Sequence, residues 1–230
     1  MKTLRVAAVV VFLALFLIPA VFLRPVPAGT SDHPLWTSVQ QIHAERWMGS
    51  AVIIRMQPSL TAAATCNVTM ATAKHVAAAE VVEQADTLSG PTPVVQAPGL
   101  RWGDVPAAGT FFHPTQDLAV VLFTTPQACN KLSLAVAVVD ATTAMLPRMP
   151  ILHVGFPGGW FTIANGIYVG QFSLAPENFG VVTSVGGPGS SGGAIFHQGK
   201  LVGLLVRGAR EPPFRNLYAP IIYLTDIWLV

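Results

Sequence analysis

Three short segments carry side chains whose types and order suit nucleophilic catalysis. In Thr72-Ala73-Lys74-His75-Val76 a histidine ends a strand-like run and is followed by small residues. In His113-Pro114-Thr115-Gln116-Asp117-Leu118-Ala119-Val120-Val121 an acid stands at the entrance to an apolar strand. In Gly186-Gly187-Pro188-Gly189-Ser190-Ser191-Gly192-Gly193-Ala194 a serine sits within a tight glycine-rich loop that leads into another strand. Each has a plain structural alternative: a packed histidine, an acid capping a turn, a hairpin. What makes the set worth weighing is that a serine hydroxyl is a weak nucleophile until an adjacent base takes its proton.

Positioning such groups requires a rigid frame, and from Gly49 onward the pattern is one of short β-type runs divided by turn signals. The runs are 50–56, 66–72, 118–124, 132–139, 151–154, 167–172, 181–185, 194–197 and 201–206. Short, regularly spaced strands with Pro-Gly, Asn-Gly and Gly-Gly loops predict an all-β sandwich or barrel. A parallel α/β sheet would need intervening helices of about ten residues or more, and only 77–85 has room for a short helix.

The three segments resemble the signatures T-A-x-H, D-[IL]-A-[LV] and G-[DNS]-S-G-G of the trypsin/chymotrypsin-like serine peptidases, and their chain order His, Asp, Ser is that family's. Gly49-Ser50-Ala51-Val52-Ile53, Gly199-Lys200-Leu201-Val202-Gly203, Val154-Gly155-Phe156-Pro157 and Tyr218-Ala219-Pro220 extend the likeness over nearly everything after residue 48, closest in feel to bacterial exported members. The resemblance implies two six-stranded antiparallel β-barrels: 49–147 as the first with its connection, 148–230 as the second, and 29–48 as a lead-in segment. It implies a serine endopeptidase acting on polypeptides through an acyl-enzyme. His75 would be the base, Asp117 the group that fixes its tautomer, and Ser191 the nucleophile. The N–H groups of Gly189 and Ser191 would form the oxyanion hole, whose backbone torsions a side chain would obstruct.

Departures from the pattern carry information too. Ser190 replaces an acid common in animal digestive members, and no Ile-Val-Gly-Gly activation sequence precedes Gly49, so a constitutively formed site is expected. Val206 stands where many relatives carry a serine hydroxyl that bonds the triad acid. That loss motivates an alternative: a catalytically inactive module of the same fold that binds extended peptides by strand addition. An esterase ranks last, because the G-x-S-x-G elbow is missing. By resemblance the primary pocket is lined by Val185 and Gly208. With no acid at Val185, Arg and Lys are disfavoured and a small or medium apolar side chain is expected. Arg207 would lie beside the substrate strand, favouring an acidic neighbour, or else be a solvated surface charge.

Lys2 and Arg5 precede an unbroken apolar run over 6–23, which Arg24, Pro25 and Pro27 end. Eighteen residues lie between a signal-peptide core and a membrane span,. A cleaved signal and a single-pass hydrophobic helix anchoring the chain both fit residues 1–28, and either predicts an exported protein. Without Lys2, Arg5 and Arg24 the rest carries 10 basic and 11 acidic side chains, a net of −1. Only 10% of residues are charged, which excludes the dense basic face that nucleic acid requires. His33, His43, His113, His153 and His197 show no metal-ligand spacing and no phosphate-binding loop occurs, so neither metal nor cofactor is expected. Cys66 shares a strand face with Val68 and Met70, which leaves both a disulfide with Cys129 and a buried thiol open. Asn67 and Thr69 would face outward as part of an Asn-Val-Thr sequon. The five tryptophans read as core or loop anchors.

Overall fold

The computed structural model describes residues 34–59, 64–78, 96–208 and 216–220. The apolar leader and most of the 77–85 segment lie outside the described residues. Among those described, no helix is long and apolar enough to cross a membrane.

Two closed antiparallel barrels of six strands each make up the fold. The first contains β1 (Val39–His43), β2 (Met48–Pro58), β3 (Cys66–Thr72), β4 (Arg101–Trp102), β5 (Val105–Phe112) and β6 (Ala119–Thr125), in the spatial order β1-β2-β3-β6-β5-β4. The His43↔Arg101 pairing closes it. The second contains β7 (Pro150–Gly155), β8 (Thr162–Leu174), β9 (Glu177–Thr183), β10 (Ala194–His197), β11 (Lys200–Gly208) and β12 (Asn216–Pro220), in the order β10-β11-β12-β9-β8-β7, closed by β10 on β7. Closure removes the exposed edges that short strands otherwise present.

The apolar runs of β6 and β11 are nearly continuous, and their burial explains it. Ala119, Val120, Val121 and Phe123 are buried, as is every residue from Leu201 to Val206. One contiguous cluster of buried side chains runs from Val52, Met70, Val121 and Phe123 in the first barrel to Phe179, Phe196, Leu204 and Val206 in the second. The two barrels therefore share a core, which holds the residues at their junction at fixed separation.

The first barrel begins earlier than expected. β1 lies within the presumed lead-in segment 29–48 and pairs with β2 from Val39↔Val52 to His43↔Met48. Conversely, the expected strand over 132–139 is an extended connector. Its hydrogen bonds alternate between the barrels, Ala137 N–H to Ile53 O at 2.8 Å and Leu201 N–H to Val138 O at 2.8 Å, with one parallel bridge at Val139↔Leu201. Cys129, at the start of this connector, is disulfide-bonded to Cys66 in β3, which resolves the open choice for these cysteines. Asn67 is half-buried, but Thr69 is buried against the expectation for it. Trp160 likewise departs from its expected role as an anchor, being 79% exposed.

Candidate active site

His75 projects from α1 (Lys74–Ala77), a single helical turn that follows β3 directly. Its backbone N–H is one of the donors that a helix start leaves without an internal partner. Asp117 takes it: Oδ1 accepts the His75 N–H at 3.0 Å, and Oδ2 lies 2.7 Å from ring Nδ1. One carboxylate thus fixes both the backbone and the ring of the histidine. The Asp117 side chain is 10% exposed while that of His75 is 41% exposed, so the acid is sheltered and the imidazole faces the cleft. Burial pushes the Asp117 carboxyl up, but its hydrogen bonds to His75 and the charges of His75 and Arg207 outweigh this and hold it below the ordinary range.

Asp117 is placed by a compact loop between β5 and β6. His113 N–H donates to Leu118 O at 2.9 Å, and ring Nδ1 of His113 accepts the N–H groups of Thr115 and Gln116 at 3.1 and 2.9 Å. The β8–β9 hairpin of the second barrel docks here. Asn178 N–H donates to Gln116 Oε1 at 3.2 Å, and Glu177 is paired with Arg207 at 2.6 Å. Burial raises the Glu177 carboxyl above its usual value, a shift that Arg207 opposes. The guanidinium of Arg207 also lies 5.2 Å over the Phe179 ring. Arg207 is therefore an ion-pair partner rather than a freely solvated charge.

Ser191 follows a turn whose glycines are needed individually. Gly189 has φ +92° and Gly192 has φ +82°, and a Cβ on Gly192 would overlap Ser50 O and Thr72 Oγ1,. Ser190, buried, closes the turn by accepting the Gly187 N–H on its hydroxyl at 3.1 Å. The peptide groups on either side of Gly189 are pinned. Pro188 O accepts Gly158 N–H at 2.7 Å, and Gly189 O accepts the Ser50 hydroxyl at 2.8 Å. Across a trans peptide the N–H points opposite to the carbonyl, so Gly189 N–H is turned away from the 157–159 loop. Neither it nor Ser191 N–H meets an acceptor among the described residues. Ser191 O accepts Ser50 N–H at 2.8 Å, and Ser50 O accepts Thr72 Oγ1 at 2.7 Å, three residues before His75. Serine and histidine are thus tied through Ser50, although no hydrogen bond joins the Ser191 hydroxyl to the His75 ring among the described residues. Such bonds often tighten only when substrate is bound.

A cavity of about 400 Å³ opens beside Ser191, and Gly208 lines it as expected. Val185 does not: it is 69% exposed and outside the lining, its carbonyl held by His153 Nδ1 at 3.0 Å. Asn216 supplies a wall of the cavity that the sequence did not suggest.

No protein-family model and no curated protein matches the sequence. Solved structures do. The active form of the Rv3671c protease of M. tuberculosis superposes with a TM-score of 0.59 at 17% identity, covering 85% of this chain and 81% of that one. The chain has the trypsin-like serine peptidase fold. The HtrA-type protease AlgW, solved with a tripeptide, gives 0.58 at 17% identity over 84% of this chain and 60% of its own. A serine endoprotease from Yersinia pestis gives 0.56 at 19% identity, over 84% and 62% respectively.

Within this fold the sequence missed Ser50 and Gln116, which tie the first barrel to the second, and Glu177 and Asn216, whose side chains are paired within the second. A signal did exist for Ser50, a hydroxyl at the head of an otherwise apolar run; Asn216 had none. His113, His153 and His197 are buried and hydrogen-bonded to backbone groups, and no cluster of potential metal ligands occurs among the described residues.

Proposed function

We propose that the protein is a serine endopeptidase that cleaves polypeptides through an acyl-enzyme. The observation that carries this reading is the turn at Gly189–Ser191: the N–H groups of Gly189 and Ser191 have no acceptor among the described residues, and Ser50 and Thr72 tie Ser191 to the His75–Asp117 pair.

His75 Nε2 takes the Ser191 proton as Oγ attacks the peptide carbonyl. The resulting oxyanion is held by Gly189 N–H and Ser191 N–H, donors that no other acceptor among the described residues occupies,. The imidazolium formed is stabilised by Asp117, whose depressed pKa keeps it ionised, and returns its proton to the leaving amine. Water then attacks the acyl-enzyme with His75 again as base, releasing the carboxylate product and regenerating Ser191.

An inactive peptide-binding module is the second reading. It is favoured by Val206, buried on β11, which offers Asp117 no hydroxyl. Two bonds from His75 already satisfy both carboxylate oxygens of Asp117, which weighs towards the enzyme. Export is part of the proposal, supported by the apolar leader and the Cys66–Cys129 disulfide,.

Treating the full chain with a fluorophosphonate probe tests the choice. The enzyme predicts stoichiometric labelling at Ser191 that His75→Ala abolishes, together with cleavage of peptide substrates. A folded protein that takes no label is the binding module.

A further inference from the structure

Asn216 opens β12 and is 6% exposed. Its Nδ2 donates to Ser184 O at 2.6 Å and lies 3.1 Å from Ser184 Oγ. A backbone carbonyl can only accept, so the amide nitrogen must face Ser184 and Oδ1 must face the other way. That other side is the cavity beside Ser191. Oδ1 lies against both of its glycine walls: a Cβ on Gly208 would be 3.2 Å from it, and one on Gly186 would be 3.1 Å from it. Side chains at these two positions would crowd the acceptor; glycines leave it uncovered. Among the described residues Oδ1 receives no hydrogen bond.

The pocket therefore contains an acceptor that is fixed from behind and lacks a donor. An apolar occupant would strip water from it without replacing the hydrogen bond, at a cost of about 1–3 kcal/mol. Among the described residues no carboxylate lines the cavity, so an ammonium or guanidinium would lose hydration there with only an amide oxygen in return. A carboxylate occupant would oppose the Oδ1 dipole, and the cation in the lining, Arg207, already has Glu177 as its partner at 2.6 Å. The oxygen of Ser190, a buried hydroxyl in the lining, accepts Gly187 N–H at 3.1 Å. We propose that Asn216 determines the specificity of this pocket, selecting a neutral hydrogen-bond donor (serine, threonine, asparagine or glutamine) as the residue that contributes the carbonyl of the cleaved bond. This rests on Ser191 being the nucleophile, and it replaces the apolar preference that the missing acid at Val185 suggested.

The test compares peptide substrates that differ only at that residue in near-isosteric pairs: Thr against Val, Asn against Leu, Gln against Met. For the full-length protein, kcat/KM should favour the donor of each pair about tenfold, the worth of one hydrogen bond to a buried acceptor. In Asn216→Val the ratios should fall to about one. Each ratio compares two substrates on the same enzyme, so loss of folded protein in the variant cancels. Ratios near one in the wild type, a preference for Lys or Arg, or ratios unchanged in Asn216→Val overturn the assignment. Fluorophosphonate labelling in parallel separates the two levels. Label at Ser191 with flat ratios refutes only the role of Asn216; neither label nor cleavage refutes the nucleophile, and this inference with it.

Discussion

Ser50→Ala removes a single oxygen, and the structure fixes what that oxygen does. Ser50 is fully buried in β2; its hydroxyl donates to Gly189 O at 2.8 Å and accepts Phe156 N–H at 3.0 Å. Alanine leaves a carbonyl and an N–H unpaired at a site shut off from solvent, each worth about 1–2 kcal/mol, so stability should fall by about 2–4 kcal/mol. The catalytic effect has a separate origin. Gly189 keeps φ at +92° because its flanking peptides are held by Gly158 N–H on one side and the Ser50 hydroxyl on the other. Releasing the second lets the Gly189–Ser190 peptide rotate and spoils the aim of the oxyanion donors. Complete loss of one such donor costs about 10²–10³ in kcat, and partial misalignment should cost about 10–100-fold with KM little changed. Steady-state kinetics on a peptide substrate, beside a denaturant melt, reads both quantities. Thr72→Val is the control: it deletes the 2.7 Å bond to Ser50 O but leaves the Gly189 carbonyl held. Its stability should fall by about 1–2 kcal/mol with kcat largely kept. If Ser50→Ala is destabilised yet retains kcat within about twofold, the hydroxyl is a packing element and the proposed coupling to the oxyanion donors is wrong.

Asp117→Asn should lower kcat by about 10⁴-fold, because an amide can no longer hold the Nδ1–H tautomer that leaves Nε2 free to act as base; steady-state turnover checks it. Breaking the Cys66–Cys129 bond opens a 63-residue separation and should cost about 4 kcal/mol by chain entropy,, measurable as the difference between urea melts of the oxidised protein and the Cys66→Ser/Cys129→Ser double variant. His153 is buried with Nδ1–H given to Val185 O, and burial lowers its pKa while that bond opposes the shift. The unfolded chain then binds the proton first, so stability should decline as pH falls from the ordinary imidazole value towards the lowered folded one, and that slope should be absent in His153→Leu. Asp117 acts lower: its contribution persists above the ordinary carboxylate value and disappears only as pH drops through its depressed folded pKa,.

His75, Asp117 and Ser191 were legible because each sits in a local pattern, and two of those patterns are strand ends that hydrophobic runs define unaided. β1 was not legible, since Val39-Gln40-Gln41-Ile42-His43 lacks a β-type apolar run and becomes a strand only through its register with β2. The 132–139 segment misled in the opposite direction. Its apolar residues read as a short β-type run, yet Val136 and Val138 are exposed and the one buried residue there is Ala137. The connector crosses from one barrel to the other and binds each through single backbone bonds. Three buried polar residues share this dependence on distant backbone groups. Ser50 reaches 139 residues along the chain to Gly189, Gln116 reaches 62 to Asn178, and Asn216 reaches 32 back to Ser184. In every case one partner is a backbone group, which leaves no mark on the partner's residue type. A composition-level or motif-level reading sees only side chains, so it offers candidate reacting groups and overlooks what positions them. Buried polar side chains whose partners are distant carbonyls and N–H groups are therefore where a sequence of this fold hides its specificity, and Asn216, with one amide face spent on Ser184 and the other bare, is where it should be sought.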